Sequence, residues 1–593
     1  MHRERAARCL SVVTVLALMM AACTPAAPAA PTAAPAAPAA ATAAPAKPAA
    51  TTAPAATTAP AATTAPAAAA TPTTAPAAPA TKPTTAPSGA ASGPADATIR
   101  LLNVEPTQGL DPNIAAADAS RGPMGLMYDN LVDYDEGGKL VGAIAETWST
   151  TPDNKIWTFK LRANTKFSDG SPITADDVKF SVDRMREGQI MKGLLSNLTD
   201  VAIADPQTIK ITLSAPSRAL ALVLSRIGSA PILSKAAVTA NSDYFAKPTA
   251  TSGPFLLKSY TPKDRAIFEA NPYYWHTGYP KTKTIEYVFS EDQNSWAAAI
   301  ESGSADVANV GYADAQRLRQ EGKIPVQQSD ILTPLFWGWD TSKSPFDSKL
   351  VRQAFAYAID RQGRQDACWF GTGASTYGNV LRPWDPYYTE INTYKLDRPA
   401  ALAKAGELLD QAGWKLVSGA RTASGVQGMP DGTKFSVQVP YEGNWPAAEC
   451  NTLLLQSTMK QVGVDIQPQK YDPAPFWGDV SHDKFLMYHG GAGATNADDL
   501  YLNWFRTGGA LTPLATHLKD LQIDAKIDAA EAAPDEASAK KLFAELEQSQ
   551  ADELPLLVTG YQWPQVALAP TVKGYYSRPD GAQKWIVNAT INQ

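Results

Sequence analysis

Between Trp157 and Arg162 apolar and polar side chains alternate: Trp157, Phe159 and Leu161 point one way, Thr158, Lys160 and Arg162 the other. That period predicts a half-buried strand. Ser168-Asp169-Gly170 then predicts a turn, because Gly accepts a positive φ. After Thr174 the period lengthens to that of a helix. Asp177 stands three residues on in capping-box spacing, and Asp176 and Asp177 occupy the first turn, where the helix dipole favours negative charge. Val178, Val182 and Met185 form the apolar face, Arg184 and Arg186 fall in the last turn, and Gly188 ends the helix.

The same two periods recur later. Val351, Phe355 and Ile359 share a helix face. Pro399 opens a helix whose apolar face is Leu402, Leu408, Leu409 and Ala412, and Gly413 closes it. Phe435 to Val439 reads as a strand, Glu449 to Val462 as a helix, Val464 to Ile466 and Lys484 to His489 as strands. Strands alternating with helices predict α/β lobes.

The first part of the chain has neither period. Arg3, Arg5 and Arg8 precede a short apolar run, Leu10 to Met20, as in a secretion signal, and the run is too short to stay as a membrane span. It ends Met19-Met20-Ala21-Ala22-Cys23, which resembles a bacterial lipobox, with Met20 where an aliphatic residue is usual. The resemblance implies a signal peptide over 1–22, lipidation of Cys23 and a membrane-anchored, extracytoplasmic lipoprotein. Residues 24–95 are almost entirely Ala, Pro and Thr, without apolar periodicity, and predict a semi-rigid stalk that buries no core. Globular composition begins at Asp96, and the length beyond it exceeds one core, so two or three units are expected. A formal charge of −6 argues against nucleic acid as partner. Of four cysteines, Cys9 leaves with the signal; Cys368 and Cys450 are free either to pair or to stay buried as thiols.

The wording of the capped unit resembles the family-5 extracellular solute-binding proteins, the receptors of dipeptide, oligopeptide and nickel ABC importers. The matching pieces are Ala145-Glu146-x-Trp148, Trp157-Thr158-Phe159-x-Leu161-Arg162, Lys166-Phe167-Ser168-Asp169-Gly170 and Pro172-Ile173-Thr174-Ala175-Asp176-Asp177-Val178. Thr251-Ser252-Gly253-Pro254-Phe255, Asn271-Pro272-Tyr273-Tyr274-Trp275, the segment Ile300 to Val307 and the segment Val351 to Arg361 resemble further landmarks. The resemblance implies a type II periplasmic-binding fold: two α/β lobes around a cleft, with an extra subdomain in the first. Lobe I would take 96–128, 216–325 and 555–593, the extra subdomain 129–215, and lobe II 326–554. It also implies a monomeric receptor, not an enzyme, that hands a small solute to permease subunits without a cofactor.

Catalytic motifs are missing from the sequence: there is no G-x-S-x-G, H-E-x-x-H or phosphate loop. His482 and His489 are spaced for one helix face, but their segment reads as a strand, so no metal site is expected. Trp337 and Trp339, near the expected lobe crossover, and Trp445 and Trp477, beside Pro- and Gly-containing loops, are candidate ligand-stacking residues. Trp384, Trp504 and Trp563 lie in similar surroundings. The family's peptide receptors hold the ligand's ammonium with an Asp in a G-W-x-A-D-Y segment. The matching segment here is Gly491 to Asn496, with Thr495 at the Asp position and Ala492 at the Trp position. A hydroxyl does not neutralise an ammonium. Asp498 or Asp499 could replace that Asp for an oligopeptide; otherwise a neutral, Trp-stacked cleft would suit an oligosaccharide.

Overall fold

The computed structural model describes residues 95–592, apart from 107–108, 115–117, 136–138, 189–190, 227, 329–332, 384, 482–483, 492–496, 508, 510–520 and 576–582. The signal segment, Cys23 and the stalk up to residue 94 therefore lie outside the described residues.

A first sheet of seven strands is built around Ala95–Asn103. This strand is flanked by parallel partners on both sides, Thr282–Phe289 and Val307–Val310, with Ile99 opposite Ile285 and Leu101 opposite Val307. Strands buried on both faces carry near-continuous apolar runs, and Ile99, Leu101 and Leu102 are all buried here. Arg265–Ala270 and Phe255–Thr261 extend one side of the sheet, Gln565–Leu568 and Val326–Gln328 the other. Arg100 fixes the order of the middle: its backbone N and Nε donate to Asp306 Oδ2 at 2.8 and 2.9 Å, and Nη2 donates to Oδ1 at 2.9 Å.

The alternating stretch forms the strand Ile156–Leu161 of a separate four-stranded antiparallel sheet, ordered Ala145–Thr150, Ile156–Leu161, Thr208–Leu213, Leu198–Asp205. Trp157, Phe159 and Leu161 are buried and Lys160 is exposed, as the period predicts. The capped helix is Ala175–Glu187; Asp177 Oδ2 accepts from the Thr174 backbone N at 2.9 Å and from its hydroxyl at 2.7 Å. Val178, Val182 and Met185 are its buried face.

A second mixed layer centres on Thr333–Trp339, which pairs antiparallel with Met487–Gly491 on one side and Leu556–Gln562 on the other. Beside it Ser436–Glu442 and Asp465–Tyr471 pair in parallel, joined by the helix Pro446–Lys460. The expected helix began at Glu449; it begins earlier because Pro446 suits the first helical position, where no N–H is needed. The helix Arg398–Gln411 ends as expected before Gly413, whose φ is +87°.

The chain passes between the first sheet and this layer at two adjacent places. Val326–Gln328 leads out of the first sheet towards Thr333, and Leu556–Gln562 leads back to Gln565–Leu568. Gln328 pairs with Gln565 on one side of the crossing and Thr333 with Gln562 on the other, so the strands that flank the crossing pair as one antiparallel ribbon. Two strands fall outside their expected lobes for this reason. Val326–Gln328 completes the first sheet through Gln565–Leu568, and Leu556–Gln562 belongs to the second layer through Thr333–Trp339.

The recognisable sequence pieces tie the four-stranded sheet to the lobe of the first sheet. Trp275 Nε1 donates to buried Asp129 at 2.5 Å, and the Arg162 guanidinium lies 4.4 Å over the Trp275 ring. Ser252 Oγ donates to Ile232 O at 2.7 Å and accepts from Asp129 N at 2.9 Å. A side chain at Gly253 would meet the Met127 carbonyl carbon at 2.5 Å.

Candidate ligand cleft

The strand Met487–Gly491 ends in two glycines whose missing side chains are filled by tryptophan. A Cβ on Gly490 would lie 3.0 Å from Trp477 Cη2, and one on Gly491 would lie 2.7 Å from Trp445 Cη2. Successive strand residues face opposite sides, so the two rings cap the two faces of one strand end. Both rings are half-buried. Trp445 stands 5.4 Å from the His489 ring, and Trp477 5.3 Å from Phe476 and 6.2 Å from Tyr488. Each therefore packs on aromatic neighbours while keeping part of its surface open to solvent, as a stacking ring must before its ligand arrives.

Trp337 and Trp339 do not join them. Trp339 is 0% exposed, its Nε1 donates to Leu554 O at 2.9 Å, and its ring stacks on Phe346 at 5.3 Å. Trp337 is 3% exposed and meets the His489 ring edge-on at 4.6 Å. Their strand is interior to its sheet, and positions 337 and 339 share the face turned to the core. Trp504 is buried against Phe336 at 5.1 Å, Trp563 is half-buried, and Trp384 lies outside the described residues.

Thr495 lies outside the described residues, and Asp499 falls in the short helix Ala497–Leu500. Asp498 is in the same helix and is not free for a ligand. It is 1% exposed and pairs with Arg218 Nη1 at 2.9 Å. Arg218 also lies 4.6 Å over the Tyr387 ring and bonds the Tyr387 hydroxyl. A second buried acid, Glu531, accepts from Ser217 Oγ at 2.7 Å. Burial, then the charge of Asp498, push Glu531 up to about 8; burial also raises Asp498. Two buried carboxyls thus lie close together while the Arg218 guanidinium pairs with Asp498, and burial with their mutual repulsion favours a proton on one of them. Sequence reading missed this cluster because its partners stand 280 residues apart and none sits in a motif.

Glu547 is another acid without a sequence signal. It accepts from Asn379 Nδ2 at 2.8 Å, Val380 N at 3.1 Å, Leu381 N at 3.2 Å and the Tyr501 hydroxyl at 2.5 Å, and burial pushes it up to about 7. These contacts hold the loop after Thr376 to the long helix Glu536–Glu553.

His489 is buried, and desolvation lowers its pKa to about 3, so it is neutral; its Nε2 lies 3.3 Å from Asn451 Nδ2. His482 lies outside the described residues. Cys368 and Cys450 form a disulfide with Cα atoms 5.6 Å apart. The bridge joins the end of the helix Arg361–Trp369 to the helix Pro446–Lys460, just beyond Trp445. A cavity of about 390 Å³ lies elsewhere, beside Phe167, Pro172, Asp177 and Lys235, and the Asp177 carboxylate there is already engaged by Thr174.

The sequence profile of the bacterial extracellular solute-binding proteins, family 5 Middle, matches residues 139–512, well over half of the chain. The chain belongs to this family. The family is one of binding proteins. Among relatives, the probable D,D-dipeptide-binding periplasmic protein DdpA of Escherichia coli K12 is 25% identical over 475 residues, covering 78% of this chain and 88% of that protein. Among solved structures, the fold matches AgaA of A. tumefaciens R10 in complex with agropinic acid, with a TM-score of 0.74 and 23% identity over 84% of this chain and 99% of that one. It also matches DppA of Helicobacter pylori in complex with the peptide STSA, with a TM-score of 0.74 and 20% identity over 84% and 98% of the two chains. The two layers joined by the crossing ribbon are thus the two lobes of a type II binding fold. Among the described residues of this family-5 protein, no helix is long and apolar enough to cross a membrane.

Proposed function

We propose that this family-5 protein is the solute-capturing receptor of an ABC importer, closing its lobes on an oligopeptide-like solute and passing it to the permease. The reading is carried by Trp445 and Trp477, two half-open aromatic rings seated on Gly490 and Gly491 beside the interlobe ribbon. The peptide class is taken from the names of relatives and fold neighbours, which bind a dipeptide or the peptide STSA. Anchoring through Cys23, a stalk that extends the receptor from the membrane and a monomeric state belong to the same proposal.

A second reading, an oligosaccharide held by stacking and neutral hydrogen bonds, is favoured by one observation. Asp498, a carboxylate suited to a peptide ammonium, is occupied by Arg218. Calorimetry with a panel of peptides and of cello- and xylo-oligosaccharides, on wild type, Trp445→Ala and Trp477→Ala, tests both. Binding of one class, lost in either variant while the melting temperature holds, supports the cleft. Binding that survives both substitutions sinks it. Peptide binding that collapses in Asp499→Asn would assign the ammonium partner to Asp499. Release from membranes in Cys23→Ser tests the anchor.

A further inference from the structure

This inference rests on the reading that Trp445 lines the cleft. Trp445 is the N-cap residue of the helix Pro446–Lys460, and its side chain makes no capping hydrogen bond. Its carbonyl accepts from Ala448 N at 3.0 Å and Glu449 N at 3.3 Å, and its own N donates to Glu442 O at 3.2 Å. The ring therefore goes where the first turn of the helix goes. Beneath the ring is Gly491, which has no side chain to hold it.

What fixes that turn is close by. Cys450, in the turn that follows, is bonded to Cys368. Cys368, Trp369 and Leu335 form a small buried cluster, and Trp445, Cys450 and Tyr312 pack against it. Tyr312 arrives from the other lobe, at the start of the helix Tyr312–Glu321, and its hydroxyl donates to Gln562 in the crossing ribbon at 3.2 Å. Trp369 is held in turn by the Arg364 guanidinium, 4.3 Å from its ring centroid. The bridge thus ties the first turns of the Trp445 helix to a cluster that reaches the hinge.

We propose that the Cys368–Cys450 disulfide is a positioning element of the ligand cleft, setting the height of the Trp445 ring above Gly491 and hence its stacking on the bound solute. Because the bridge spans 82 residues, it also stabilises the fold, as any such crosslink does. The test must separate the two roles.

Hydrogen exchange on the ligand-free, full-length protein does so first. Replacing both cysteines (Cys368→Ala with Cys450→Ala) should speed exchange of amides 448–452 about tenfold or more, while the helix Arg398–Gln411 stays as protected as in wild type. Unchanged exchange at 448–452, or an equal rise in both helices, overturns the proposal. Calorimetry with tetra-alanine and cellotetraose as probes then compares wild type, the double cysteine variant, Trp445→Ala and the triple variant. Loss of the bridge should weaken the bound probe about tenfold when Trp445 is present and less than about twofold when it is absent. Equal losses in both backgrounds overturn it. If neither probe binds wild type, it is the ligand reading that fails, and the exchange result alone decides the role of the bridge.

Discussion

The four candidate tryptophans divide by burial: Trp337 and Trp339 are core residues, whereas Trp445 and Trp477 are half-buried. Trp445→Ala or Trp477→Ala should cost ~2 kcal/mol or more of ligand binding, the range of interface anchors, with little change in melting temperature. Trp339→Ala should instead cost roughly 3–5 kcal/mol of stability, because it empties a fully buried ring site. Isothermal titration beside thermal melts separates the two outcomes. Asp498→Asn removes the buried carboxylate partner of part-buried Arg218, which keeps only the exposed Glu536 at 3.9 Å, and should destabilise the protein by roughly 1–3 kcal/mol; a neutral effect on the melting temperature would contradict the ion pair. Glu531 supplies a pH dependence. Its folded pKa, about 8, lies above its unfolded value, so its contribution is full below the unfolded pKa and is lost as pH rises through about 8. Melting temperature should therefore decline from about pH 4.5, the ordinary carboxyl value, to about pH 8 and level off above it, and Glu531→Gln should flatten that decline. What separates these residues could not be read from the chain. Trp residues look alike until a strand's neighbours are known, and Arg218 meets Asp498 only through the fold.

Local signals were legible wherever local physics decides the element. The strand Ile156–Leu161 and the helix Ala175–Glu187 follow from a change of period and one capping box. Thr174→Ala should cost about 0.5–2 kcal/mol, read from denaturant melts, through loss of the cap. Boundaries moved where a proline intervened, as at Pro446, and strand membership moved where pairing across the crossing ribbon decided it. Gly490-Gly491 follows the expected strand Lys484 to His489 and in fact continues it, but the use of the pair was not legible: each glycine is the seat of a ring that arrives from another element. Gly491→Ala should push the Trp445 ring outward and weaken ligand binding more than it lowers the melting temperature, a difference that calorimetry and thermal melts on the one variant resolve.

For the whole molecule the family resemblance foretold two lobes, and length foretold more than one core, but neither showed how the lobes are joined. Closure on a solute should lower the radius of gyration in X-ray scattering, as hinge closure does in binding proteins generally. Unchanged scattering with a ligand of measured affinity would count against a closing receptor. The free energy of closing in the empty protein is deducted from ligand affinity, so variants that favour the closed form should bind more tightly without touching the ligand.

The strands that lead into and out of the crossing between the lobes are hydrogen-bonded to each other on both sides of it. A pair of strands bonded in this way bends across its face far more easily than it shears along its length. The lobes then swing as a door does on adjacent pins, with one permitted direction and displacement that grows with the lever arm. Residues near the ribbon, Tyr312 and Gln562 among them, should barely travel when a solute binds, and the rim opposite should travel furthest. Any partner that must tell a loaded receptor from an empty one has its largest signal at that far rim.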